Sequence, residues 1–262
     1  METTTRRQFL KGMGGAAIGL VATTGAASLL SCSPKVKAAP GVPWPYKPLD
    51  PVAVAERAYA AYSEGGCMYG AFEGLIGELR EKIGAPYDSF PAVMMKYGAA
   101  GVVGWGTLCG SLNGAAAAIY LLAEEKVAKS IINEVFGWYG TQALPTYQPK
   151  QPKFPQIPTS VANSQLCHVS VTTWSKTSGF KTGSPERAER CAWVTASVAK
   201  YVAELLNQQS NGTFKPAFAV SSDVSDCLSC HGKGGSVENV HTSNQTSCTV
   251  CHTDIGKGHP NQ

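Results

Sequence analysis

The 262-residue chain has no basic stripe, no uninterrupted hydrophobic run and no solenoid repeat, and each absence closes off a class of protein. Its formal charge of +4 falls to about +2 once residues 1–31, with three basic side chains and one acidic, are set aside. That leaves nothing to grip a run of phosphates, so nucleic acid is not an expected partner. The most apolar stretch, Met13 to Leu30, is interrupted by four glycines and two threonines and makes a poor membrane helix. No self-similarity at a solenoid period appears. Methionine is scarce too: beyond Met1 and Met13 there are only Met68, Met94 and Met95.

What is present begins with an address. Thr5-Arg6-Arg7-Gln8-Phe9-Leu10-Lys11 places an arginine pair before the Gly- and Ala-rich stretch, the pattern of a twin-arginine export signal over residues 1–31. Export by that route to the periplasm is the expectation, and it generally moves proteins already folded around a cofactor. Leu29-Leu30-Ser31-Cys32 resembles a lipobox, in which Cys32 would be lipidated and tether the mature chain to a membrane. Ordinary cleavage near Ala38 or Ala39 is the competing reading. Residues 32–50 form a Pro-rich tether on either reading.

The remainder reads as mostly α. Asp50-Pro51 caps an Ala-rich helix running to about Ser63, and a second helix spans Cys67 to Ile83, where Gly84-Ala85-Pro86 stops it. Residues 112–142 hold one or two more. Six glycines between Tyr97 and Gly114 suit backbones packed closely around a neighbouring helix or a metal centre. Val161 to Trp174, rich in β-branched residues, predicts a short strand or loop. Ser184-Pro185-Glu186 opens the clearest helix, reaching about Asn207.

The decisive motif is at the end. Cys227-Leu228-Ser229-Cys230-His231 and Cys248-Thr249-Val250-Cys251-His252 are two copies of CxxCH, the attachment sequence of c-type haem. Two thiols three residues apart reach the two vinyl groups on one porphyrin edge, and the next residue brings its imidazole to the iron. The four cysteines also satisfy a zinc-ribbon spacing, but a zinc ribbon has no need of a histidine after each second cysteine. From Ser221 to Gln262 the only large apolar residues are Val224, Leu228, Val237, Val240, Val250 and Ile255. They are too few to offset the conformational entropy of ordering the segment, so haem must serve as its core.

With His231 and His252 as proximal ligands, each iron needs a sixth ligand. The tail has no methionine, which leaves His168, His241 and His259. His241 and His259 lie within the tail and are the favoured distal pair, with His168 the alternative. Bis-histidine ligation leaves no open position for a substrate and favours electron carriage over catalysis. No catalytic residue is indicated.

Of the other cysteines, Cys67, Cys109, Cys167 and Cys191 are dispersed through the helical part, and no pair of them forms CxxC. Four thiolates suit an iron–sulfur cluster, two disulfides or buried thiols, and spacing does not choose among these.

Three stretches carry a resemblance: Gly65-Gly66-Cys67-Met68-Tyr69-Gly70, then Gly104-Trp105-Gly106-Thr107-Leu108-Cys109-Gly110 followed by Gly114-Ala115, and Arg187-Ala188-Glu189-Arg190-Cys191. They resemble the Gly-Cys-Ala type of redox-active proteins, although Met68 stands where that motif usually has Ala, and a further cysteine beside Cys67 is absent. The same module joined to two C-terminal CxxCH motifs is similar to the split-Soret cytochromes c of anaerobic sulfate-reducing bacteria, over roughly Val52 to His252.

The resemblance implies a homodimer whose subunits each carry two bis-histidine haems, stacked near the interface, with one axial histidine supplied by the partner. It also implies an iron–sulfur site in the helical domain at Cys67, Cys109, Cys167 and Cys191, a two-iron cluster being favoured over a four-iron one. The expected organisation is a leader over 1–31, a tether over 32–50, a helical redox domain over 51–220 and an irregular, haem-wrapped tail over 221–262. The expected function is electron transfer between redox protein partners in anaerobic respiration. An exported reductase with an open iron site and a redox sensor are the alternatives.

Overall fold

Asp50 and Pro51 open the first helix as the sequence predicts. In the computed structural model, which describes residues 41–239 and 245–253, the Asp50 carboxylate accepts a hydrogen bond from the Val52 N–H at 2.9 Å. Helix α1 (Pro51–Ile83) is broken at Gly66, where φ is 79° and ψ −171°, a backbone region essentially closed to residues with a Cβ. The chain turns back there, and arms 51–65 and 67–83 lie side by side. The Arg57 guanidinium reaches Glu78 at 2.8 Å, a pair that a straight helix would hold about 30 Å apart. Small residues permit the contact: a Cβ at Gly70 would sit 2.9 Å from the Ala58 carbonyl oxygen, and one at Gly74 would sit 2.9 Å from that of Val54.

Beyond this hairpin come α2 (Gly110–Leu122), α3 (Glu125–Thr141), α4 (Cys167–Ser178), α5 (Pro185–Ser210) and α6 (Ser222–His231). Three 3-10 turns, Tyr87–Ser89, Ala92–Gly98 and Cys248–Val250, complete the order. No β-strand occurs among the described residues; the only pairings of that kind are isolated antiparallel bridges, Leu108 with Leu166 and Leu144 with Ser160. The fold class is α, as expected. The α1 hairpin packs chiefly on α5 and α2, and Leu75, Ile119, Val135, Val198 and Val202 are fully buried between the helices. Removing those side chains from water supplies the main driving force for the assembly.

One element departs from expectation. Val161 to Trp174 does not form a strand; its second half begins α4, despite Val169, Val171, Thr172 and Thr173. Tertiary contacts override the β-branched preference. The Cys167 N–H donates to the Thr107 carbonyl at 2.7 Å and the His168 N–H to that of Gly106 at 3.0 Å, which satisfies first-turn amides that a helix leaves unpaired. One turn apart, Ser170 and Trp174 are buried on the inner face, and the Trp174 indole donates to the Pro158 carbonyl at 2.7 Å.

Candidate metal centre and haem-attachment motifs

The four dispersed cysteines come together. Cys67, Cys109, Cys167 and Cys191 all line one cavity of about 590 Å³, although they lie on α1, before α2, on α4 and on α5. Local structure explains each position. Cys67 follows the Gly66 break and so starts the second arm of α1. Cys109 caps α2, and Cys167 is the first residue of α4. The Leu108–Leu166 bridge, with the Cys109 N–H donating to the Gln165 carbonyl at 2.9 Å, brings those last two cysteines alongside each other. Three helix beginnings thus face the cavity, each with the positive end of its dipole. Cys191 comes from the second turn of α5, just after Arg187 and Arg190, which also line the cavity.

Close approach at the glycines makes this convergence possible. A Cβ at Gly110 would collide with the Cys67 sulfur, and one at Gly114 with the Met68 carbonyl oxygen. From Ala100 to Gly104 the chain makes a left-handed turn, with φ between 49° and 87°. Val102 and Val103 adopt that region at a steric cost of roughly 1–2 kcal/mol each. The turn carries Val103 and Trp105, 76% and 82% exposed, and Gly104, Trp105 and Gly106 wall the cavity on that side.

The electrostatics point to an anionic occupant. No Asp or Glu lines the cavity, whereas Arg187 and Arg190 do. Arg190 is 2% exposed and its Nε has no hydrogen-bond partner. Burial, then the neighbouring Cys109 and Cys191, pushes the Cys67 thiol up to about 12; the same causes in the same order push Cys167 up to about 12. Without an occupant, these thiols stay neutral and a buried guanidinium has no counter-charge. A metal that deprotonates the thiols resolves both problems. Among the described residues no three His, Cys, Asp or Glu side chains approach closely enough to hold a single ion. Four thiols around one cavity supply the donors that a thiolate-bound metal centre needs.

In the tail the first CxxCH lies on α6, one ordered helix within a segment expected to be irregular, and the second starts in the Cys248–Val250 turn. The two motifs pack together, and the Cys227 thiol is raised by burial and by contact with the Cys248 thiol. His231 Nδ1 is 2.9 Å from Asn239 Oδ1, a bond that orients the ring; Nε2 is the nitrogen that would ligate a haem iron. Of residues 221–239 and 245–253, only Val224 and Gly232 are buried. Cys251 and His252 of the second motif are exposed. The donor set and the missing core both fit haem. The tail is held to the helical body by Thr246, which bonds Gln165 at 3.2 Å, and the segment leading into it is held by Glu134 of α3, which accepts from the Ala217 and Phe218 amides.

His168, the alternative distal ligand, is exposed at the rim of the cysteine cavity. His241, His259 and Cys32 lie outside the described residues, as does the leader. Sequence reasoning missed Tyr139 and Ser170, whose signal is invisible without the fold. Arg190 did carry a signal, since it directly precedes Cys191.

Residues 69–205 match the family of redox-active proteins defined by the pattern C_GCAxxG_C_C. The chain is 34% identical to split-Soret cytochrome c from Desulfovibrio desulfuricans, across 95% of this chain and 94% of that protein. A solved structure of split-Soret cytochrome c from the same species, described as holding a novel iron centre, superposes with a TM-score of 0.75. It is 37% identical and the match covers 80% of this chain and 90% of that one.

Proposed function

The chain belongs to the split-Soret cytochrome c family, and from that premise we propose that it is an exported electron carrier holding two c-type haems and an iron–sulfur cluster. The observation that carries this reading is that two separate sets of four cysteines each come together, one around a cavity lined by no carboxylate and one as two packed CxxCH motifs.

Cys227 and Cys230 hold one haem and Cys248 and Cys251 the other, with His231 and His252 as proximal ligands. His241 and His259 are the distal ligands, or His168 in place of one of them. Contact between Cys227 and Cys248 supports porphyrins anchored side by side. Cys67, Cys109, Cys167 and Cys191 hold the cluster, two-iron in preference to four-iron. When bound, these groups supply reversible one-electron chemistry. The protein's own part is to wall one side of the cysteine cavity with Ala100, Gly104 and Trp105 and to set a positive field there with Arg187 and Arg190. Cys167 and His168, adjacent in sequence, bring the cavity to the surface.

A homodimer, in which an axial histidine crosses to the partner subunit, redox proteins as donor and acceptor, and a periplasmic location reached by the twin-arginine route complete the proposal. Lipidation at Cys32 would tether the protein to the membrane.

Oxidised and reduced visible spectra of the purified protein, with iron and acid-labile sulfide assayed on the same sample, test it. Two c-haems per chain, a reduced Soret band split in two and iron in excess of haem are expected. A single unsplit Soret band with a high-spin feature and no sulfide would overturn the proposal in favour of a reductase with an open iron.

A further inference from the structure

Arg190 is the least explained side chain in the molecule. A guanidinium does not lose its proton in a protein, and this one is buried on α5 at 2% exposure with no ion pair among the described residues. Its Nη2 donates to Ser170 Oγ at 2.9 Å. The same oxygen accepts from the Tyr139 hydroxyl, also at 2.9 Å. At the two ends the pair meets the thiols: Cys191 follows Arg190 directly on α5, and Cys109 lines the same cavity as Tyr139. Side chains from α3, α4 and α5 therefore form one continuous polar arc, and all three line the cavity together with the four thiols.

We propose that Arg190, Ser170 and Tyr139 are positioning residues that set the reduction potential of the metal centre in the cysteine cavity, raising it through Arg190's fixed charge, which the hydrogen bonds through Ser170 to Tyr139 hold at the cavity wall. The inference rests on the reading of that cavity as an iron–sulfur site. An electron added there places negative charge opposite a buried cation in a medium of low dielectric, so the reduced form gains more from Arg190 than the oxidised form does. Ser170 joins the two ends, so loosening either end weakens the hold on the other.

The test is a redox titration of the full-length holoprotein, with the haems of the same molecule as internal reference. Arg190→Gln is expected to lower the equilibrium constant for reducing the cluster relative to the haems by about tenfold or more, which is about 59 mV for one electron. Haem midpoints stay in place, and Arg190→Lys, which keeps the charge but loses the fork, recovers part of the shift. Ser170→Ala and Tyr139→Phe, which keep the charge, produce smaller shifts of the same sign. The proposal is overturned if Arg190→Gln retains iron and sulfide and moves the ratio by less than about threefold. Should Arg190→Gln fail to hold the centre, Ser170→Ala and Tyr139→Phe decide: a downward shift in both supports the arc, and none in either overturns it. A wild-type protein without sulfide or non-haem iron would instead refute the cluster reading, and this inference with it.

Discussion

The helical body and the C-terminal tail handle their cysteines in opposite ways. The body builds its cavity out of a finished hydrophobic core: Cys67 and Cys109 are buried, and Leu75, Ile119 and Val198 behind them are fully buried. The tail exposes almost everything it has, with Val224 and Gly232 alone buried among its described residues. Ordering a residue costs roughly 1–2 kcal/mol of backbone entropy, which the body recovers from its own side chains and the tail does not. A cofactor therefore enters a prepared site in the body and completes the structure in the tail.

The largest effect that would break this contrast is the loss of the tail's haem. A chain with Cys227, Cys230, Cys248 and Cys251 all changed to Ser should lose every haem by staining while the body keeps its helical circular dichroism. Limited proteolysis should then cut after about residue 211 far faster than in the parent, since an unsupported tail opens readily. Collapse of the helical signal would show that the body depends on the tail. Next, Cys109→Ser should strip the non-haem iron and sulfide and leave the haem spectrum intact; loss of both together would mean that the two regions are one unit.

Within the body, Gly74→Leu forces a side chain into the Val54 carbonyl across the α1 hairpin. Overpacking of this kind costs about 1–3 kcal/mol, so the melting temperature should fall by roughly 2–4 °C per kcal/mol. The haems should remain attached. The smallest effect belongs to the cap: Asp50→Ala removes the bond to the Val52 amide and should cost ~1 kcal/mol, read as a shift in urea midpoint.

Short-range signals in the sequence marked the parts of the fold that are locally determined. Asp50-Pro51 and Gly65-Gly66 mark the start and break of α1, Ser184-Pro185 starts α5, and the CxxCH pairs identify themselves without any fold. The cysteine cavity is different in kind. Cys67, Cys109, Cys167 and Cys191 meet only after helices far apart in sequence have docked, so spacing left disulfides and a cluster equally open, and family resemblance implied the grouping. α4 was misread because its first-turn amides are satisfied by Thr107 and Gly106, partners some sixty residues away that no local window contains. The same holds for Tyr139 and Ser170, ordinary residues until α3 and α4 pack against α5.

The break at Gly66 has a consequence in time. One cysteine sits at the start of the returning arm, the next two meet through the Leu108–Leu166 bridge, and the fourth waits on α5, the main partner of the hairpin. A newly made chain therefore offers scattered single thiols, each a weak trap for metal, and offers all four together only after α5 has seated. Filling of the cavity is thus a late event in the life of the molecule, and a filled cavity is a record that every earlier step of assembly was completed.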